Sequence, residues 1–374
     1  MSNYVASHLK DMNRITVYRL FTQNDEVFRG SIARETGISA PTVLKIVNFM
    51  IENDLVLELG AREGSVGRKP QMLTLNPNAF YTIGIIFEGG YIRAGLMNFS
   101  SELLHLITIP PDSKFCGDAR SRIPQVIETL VAETGIDAAK LKGIGIGIPG
   151  PYDSITNTIS YAPLGGIHNP ENLDWLVEWL VRTYHVHVAI NNDVNMSVIG
   201  EYHARKMVDD DLIYINVGTG LGAGLILDGK LRSGRNFQCG EIGYMTFSAR
   251  DGYRAEREKP GWLEAKTNLH AIRQLFGHEA AVPQGDNSQI IAHLAEYLAL
   301  CINNMTAVID CRNVAVGGIV LEMLGDALIA AIENKLRDLS ITEVAVTAAK
   351  SIGAGVQGAC CEVMERVVTE LLAQ

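Results

Sequence analysis

Three short stretches in the middle of the chain carry side chains able to accept a hydroxyl hydrogen. Asn192 and Asp193 end the run Ile190-Asn191-Asn192-Asp193, Glu241 sits in Gly240-Glu241-Ile242-Gly243-Tyr244, and Glu264 closes Gly261-Trp262-Leu263-Glu264. A carboxylate at the end of a strand can take a proton from a hydroxyl or accept its hydrogen bond, so the set suits either a general base or a polyol-binding site. Taken alone, Asn192-Asp193 reads equally well as an Asx cap on a helix over 196–206. The company of Glu241 and Glu264 favours the binding reading. Between the first two stretches, 214–217 reads as a buried strand, Gly218-Thr219-Gly220 with Gly222 and Gly224 as a glycine-dense turn, and 225–227 as a second strand. Such glycines either let backbone amides approach a phosphate or a hydroxyl-rich ligand or make a tight hairpin.

Several elements must position these groups. An apolar strand over 186–190 delivers Asn192 and Asp193, and a small-residue strand over 143–148 leads into Pro149-Gly150-Pro151. A hairpin over 81–97 opens this part of the chain, with Glu88-Gly89-Gly90 at its tip, and helices are predicted over 121–133, 175–184 and 287–310. A strand over 314–316 ends in Gly317-Gly318, and a last helix begins near Ala354.

The first 75 residues read differently. Ile15, Tyr18, Leu20 and Phe21 fall near helical spacing over 12–23; a short helix over 31–36 has Ser31 as its cap and Ile32 and Ala33 inward; Gly37 makes a sharp turn. Ser39 then caps a third helix over 42–51 with Pro41 in its first turn. Val43, Ile46, Val47 and Met50 face the core on that helix, leaving Ser39, Ala40, Thr42, Lys45 and Asn48 to meet DNA. Strands over 55–59 and 71–75 flank a glycine-loosened wing carrying Arg62, Arg68 and Lys69, placed to reach phosphates or a minor groove. A small three-helix protein-interaction module is the other reading, but it gives the basic wing residues no role.

Length and charge agree with a two-part protein. A chain of 374 residues with 47% hydrophobic and 20% charged content can build real cores and is not disordered throughout. Its net charge of −10 excludes a protein that coats nucleic acid or anionic membrane with its whole surface. The first 75 residues nevertheless hold nine of the 32 Lys and Arg against eight of the 42 Asp and Glu, so a near-neutral head precedes an acidic body. Six cysteines lack disulfide or CxxC spacing, no signal core opens the chain, and no apolar run reaches the roughly 20 residues of a membrane span; a cytoplasmic protein with no membrane partner is expected.

The ordered set Ile190-Asn191-Asn192-Asp193, GTGLGAG, Gly240-Glu241 and Gly261-Trp262-Leu263-Glu264 resembles the ROK family, whose sugar kinases and sugar-responsive repressors share an actin-like fold. The resemblance covers nearly the whole chain. It implies an α/β architecture in which a winged helix-turn-helix, 1–75, precedes a two-lobed sugar-kinase-like domain, with 76–190 as the first lobe, 191–354 as the second, and a final helix, 355–374, packing back on the first. It implies that Asn192, Asp193, Glu241 and Glu264 contact a sugar, Asp193 being the general base in the kinases, and that Gly150 lies on the wall of the cleft. Two departures bear on activity. Where the kinases carry Asp-x-Gly-Gly-Thr, this chain has Ile86, which cannot organise a cation, and Glu88, which would repel a phosphate. Where the family holds a structural zinc with a His and a cysteine-rich loop, Tyr244 replaces the His and 248–262 contains no cysteine. No metal and no cofactor are therefore expected, and Tyr244 is left either to stack on a sugar face or to pack in the core. The resemblance implies a cytoplasmic regulator, a repressor of carbohydrate-utilisation genes, that binds operator DNA as a homodimer or homotetramer and answers to a sugar or sugar derivative. An ATP-dependent sugar kinase with a DNA-binding head is the alternative, and a regulator with an empty cleft and a protein signal is a third.

Overall fold

Two five-stranded sheets flank one deep cleft, and a smaller three-stranded sheet belongs to an N-terminal head. The computed structural model describes residues 2–24, 26–59, 72–88, 90–256, 259–277, 286–350 and 353–373, with backbone only for 2–9 and 164.

The head consists of α1 (Ser2–Gln23), β1 (Val27–Phe28), α2 (Ile32–Thr36), α3 (Ala40–Glu52), β2 (Val56–Leu59) and β3 (Met72–Leu75), its strands antiparallel in the order β1-β3-β2. Val43, Ile46, Val47 and Met50 are buried on α3 as their spacing predicts, and Gly37 turns the chain with φ 70°. Three details differ from expectation. Helix α1 starts at Ser2, ten residues early, and Val17 is its most deeply buried described side chain. Ser31 has helical backbone angles and turns its hydroxyl to the Phe28 carbonyl at 3.1 Å, so it caps nothing. Ser39 is extended, but its hydroxyl meets Thr42 Oγ1 at 2.8 Å and makes no bond to a helix amide. The wing stretch with Arg62, Arg68 and Lys69 lies outside the described residues.

The first lobe follows as β4 (Tyr81–Glu88), β5 (Tyr91–Asn98), β6 (Leu103–Ile109), α4 (Phe115–Thr134), β7 (Leu141–Ile148), the short strands β8 (Tyr152–Asp153), β9 (Thr158–Ile159) and β10 (Glu171–Asn172), α5 (Asp174–Tyr184) and β11 (His187–Asn192). Its main sheet runs β11-β7-β4-β5-β6, parallel across the first three strands and antiparallel beyond. Strands buried on both faces explain the unbroken apolar run of β4 and the glycine alternation of β7. The second lobe has α6 (Asp193–Ala204), β12 (Leu212–Val217), β13 (Leu221–Leu227), β14 (Lys230–Leu231), α7 (Glu264–Thr267), α8 (Leu269–Phe276), α9 (Ser288–Ile309), β15 (Asn313–Gly317), α10 (Ile319–Leu324), α11 (Asp326–Leu339) and β16 (Ala345–Ala348), with sheet order β14-β13-β12-β15-β16.

Helix α12 (Ala354–Ala373) joins the parts. It packs against α6 so closely that a methyl on Gly200 would strike the Ala354 carbonyl and one on Gly358 the Met196 carbonyl. Its far end meets the head: the Arg14 guanidinium donates to the Leu372 carbonyl at 2.6 Å and lies 3.5 Å from the centre of the Phe49 ring on α3. One buried apolar cluster accordingly contains Val17, Phe21 and Met50 of the head, Phe99 of the first lobe, Met196 of α6 and Cys360 and Met364 of α12. Each such fully buried large side chain contributes roughly 1.5–3 kcal/mol, so head and body share a substantial part of their stability.

Candidate functional site

The cleft between the two main sheets encloses about 770 Å³ and is lined by all six residues expected on it: Gly150 from the first lobe, Asn192 and Asp193 where β11 becomes α6, and Glu241, Tyr244 and Glu264 from the second lobe. Asn192 caps α6 as well as lining the cleft. Its oxygen accepts from the amides of Val194 at 2.9 Å and Asn195 at 3.1 Å, and its Nδ2 donates to the Gly150 carbonyl at 3.1 Å and to Asp193 Oδ1 at 3.0 Å. Both protons and both lone pairs are thereby engaged, so Asn192 orients Gly150 and Asp193 and presents no free group of its own. The Asx-cap reading of this residue holds, and the capped helix begins at Asp193, three residues before the predicted start.

Asp193 Oδ1 also accepts the Val194 amide at 2.9 Å. Burial is the largest cause of its raised pKa, about 8; the charges of Glu88 and Glu241 add to it and the Val194 amide opposes it. Glu241 follows Gly240, whose φ of 92° and closeness to the Ala223 carbonyl exclude a side chain. Glu241 opens to the solvent of the cleft yet is walled by protein on most sides, and desolvation with the neighbouring Glu264 pushes its carboxyl to about 7. Glu264, at the start of α7, accepts from Leu221 N at 3.3 Å and Gly261 N at 3.2 Å; burial still raises its pKa because the two amides only partly replace water. Tyr244 is 42% exposed at the rim, so its ring is available to a ligand and is not a core residue.

Beneath Asp193, Ile86 is 1% exposed and packs against the backbone glycines Gly147 and Gly355, offering no oxygen to a cation. Glu88 and Tyr91 line the cleft instead, and burial raises the Glu88 carboxyl while its hydrogen bond to Tyr91 and the charge of Arg93 pull the other way. Arg93 of β5 reaches across to Glu322 of α10 at 3.4 Å and ties the lobes together. Sequence reasoning missed this pair, since 229 residues separate its members. It also misread the extent of the glycine turn. Strand β13 starts at Leu221, so Gly222 and Gly224 lie within it, where a methyl would press on Val194 and Val198 of α6; Gly218-Thr219-Gly220 and the first residues of β13, Gly222 included, line the cleft, and Gly224 does not. Among the described residues no group of three or more His, Cys, Asp or Glu could hold a metal ion.

On the head, Ser39, Ala40, Lys45 and Asn48 of the α3 face are exposed and Thr42 is half-buried. Two further residues belong to that face. Leu44 is 48% exposed, in line with Ala40 and Asn48 at helical spacing, and Arg29 donates to Asn48 Oδ1 at 3.4 Å while pairing with Glu58 at 2.7 Å. Neither stood out in the sequence, because one looks like a core residue and the other sits in a turn.

A family profile described as "ROK family" matches residues 82–365. A xylose repressor from Caldicellulosiruptor bescii is 29% identical over 252 residues, 65% of this chain and 60% of that protein, so the chain spans less than two thirds of the length of this relative. The DNA-binding transcriptional dual regulator NagC of Escherichia coli strain K12 is 24% identical over 350 residues, 87% of this chain and 84% of NagC. Among solved structures, a ROK family transcriptional regulator, a homologue of the Escherichia coli MLC protein, superposes with a TM-score of 0.78 at 22% identity over 98% of each chain.

Proposed function

The chain belongs to the ROK family, and on that premise we propose that it is a sugar-responsive DNA-binding repressor whose kinase-like body recognises a sugar without phosphorylating it. The observation that carries this reading is the pairing, in one cleft, of three carboxyl groups suited to sugar hydroxyls with a fourth, Glu88, that faces the same space, while Ile86 stands buried outside the lining. We read 1–75 as a winged helix-turn-helix with α3 as its recognition helix, 76–190 with 355–374 as one lobe and 191–354 as the other. Ser39, Ala40, Thr42, Lys45 and Asn48 would contact the operator, with Arg62, Arg68 and Lys69 on its phosphates. Asp193, Glu241 and Glu264 would accept sugar hydroxyls, with Asn192 holding Asp193 and the Gly150 carbonyl in place and Tyr244 stacking on the ring. A homodimer presents two such heads and predicts an inverted-repeat operator. The relatives named as repressors support the reading.

Fluorescence anisotropy on labelled DNA flanking the protein's own gene tests it, with D-xylose, glucose and N-acetylglucosamine as effectors. The expected result is tight binding to that DNA, weakened about tenfold or more by one of the sugars, with Asp193→Asn unresponsive. Binding that no sugar alters, or none above unrelated DNA at the same salt, contradicts the proposal. The Asp193 carboxyl in the cleft, its pKa raised to about 8, favours a second reading, a sugar kinase; transfer of phosphate from Mg·ATP to a sugar, lost in Asp193→Asn, would establish it.

A further inference from the structure

Glu241, Tyr244 and Glu264 ride on two backbone segments pressed against each other. The Leu263 amide donates to the Gly243 carbonyl at 3.0 Å, and Gly261 lies so near Gly243 and Tyr244 that a methyl there would collide with both backbones. Beyond Tyr244 the chain passes through a short turn at Ala249–Asp251, and Lys259 and Pro260 line the cleft again just before Gly261. The two arms of this excursion are joined by side chains. Asp251 accepts the indole N–H of Trp262 at 2.9 Å and the Ser248 hydroxyl at 2.7 Å.

Trp262 is 6% exposed and wedged between Phe247 at 5.6 Å and Tyr297 at 5.9 Å, centroid to centroid, with the Lys266 ammonium 4.5 Å from its ring centre. The negative Asp251 and the positive Lys266 thus hold one indole from its edge and its face. Trp262 directly follows Gly261, whose amide donates to Glu264 Oε2, and Glu264 begins the turn that contains Lys266.

We propose that Asp251, acting through Trp262, is a positioning residue that fixes the Glu264 carboxylate in the cleft. It lies outside the cleft lining, so it touches no ligand. Its work is to close the excursion, restricting the loop to a conformation in which the Gly261 and Leu221 amides both point at Glu264. The inference rests on the reading of the cleft as a sugar site for its functional consequence, and on geometry alone for the positioning.

Two measurements on the full chain separate these. Hydrogen–deuterium exchange of the unliganded protein reads the positioning: in Asp251→Ala the peptides holding the Leu221 and Gly261–Glu264 amides should exchange about tenfold faster than in the wild type, while the head and α12 are unchanged. Asp251→Asn retains an acceptor for the indole and should restore wild-type exchange. Trp262→Phe keeps an aromatic ring but no donor and should resemble Asp251→Ala. Calorimetry with D-xylose, glucose and N-acetylglucosamine reads the consequence: whichever sugar the wild type binds should bind Asp251→Ala about tenfold more weakly and Asp251→Asn within about twofold. Unchanged exchange at Gly261–Glu264 in Asp251→Ala overturns the inference, as does equal loss in Asp251→Asn and Asp251→Ala. The expected exchange pattern in a protein that binds no sugar sustains the positioning and sinks the sugar reading.

Discussion

At the scale of the residue, the cleft gathers carboxyl groups whose ionisation is opposed by burial. Asp193 at about 8, Glu241 at about 7, and Glu88 and Glu264, also raised, all hold their protons more tightly in the folded chain than in an unfolded one. The sign follows by linkage: their contribution to stability is fully present below the usual carboxylate range and is lost as pH rises through the folded values. The melting temperature of the unliganded protein should therefore fall as pH is raised from about 5 to about 9, and Asp193→Asn should flatten part of that fall. A differential scanning calorimetry series showing the same slope in both proteins would refute this assignment of the proton. The identities of Asp193, Glu241 and Glu264 were legible from residue type and order along the chain. That the amide of Asn192 is fully engaged was not, because one of its partners, the Gly150 carbonyl, lies 42 residues away.

At the scale of the element, glycine decides how closely helices and sheets approach. Gly200 and Gly358 let α6 and α12 touch through their backbones, and Gly222 and Gly224 let α6 lie on β13. Alanine in place of Gly200 would gain at most about 1 kcal/mol of helix propensity. The collision with the Ala354 carbonyl, overpacking that cannot relax without separating two backbones, costs about 1–3 kcal/mol. Gly200→Ala is thus expected to be destabilised, by about 1–2 kcal/mol on balance, in urea unfolding; a neutral or stabilised variant would show that the helices can part freely. Most helices and strands were legible from apolar periodicity, including the buried face of α3 and the hairpin of β4 and β5. Strand β1 was not, since two residues form a strand only because β3 is there to pair with them. The glycines of β13 misled for a similar reason: spacing alone cannot distinguish a turn that cradles a ligand from a strand that yields to a helix.

At the scale of the whole molecule, one apolar core runs from the head through α12 to α6, whose first residues, Asp193 and its cap Asn192, lie in the cleft. Arg14 stands at the junction, bonded to the end of α12 and laid on Phe49 of α3. The Arg93–Glu322 pair spans the lobes. A ligand that draws the lobes together can act on the head only if it binds two arrangements of this continuous core unequally. That condition makes the coupling reciprocal: a sugar that loosens the operator must itself bind the operator complex more weakly, by the same factor.

The direct measurement is calorimetric titration of the effective sugar into the protein alone and into the protein saturated with its operator. Affinities that differ by about 5- to 150-fold, matching the loss of operator affinity caused by the sugar, are predicted; equal affinities in the two titrations would contradict the account.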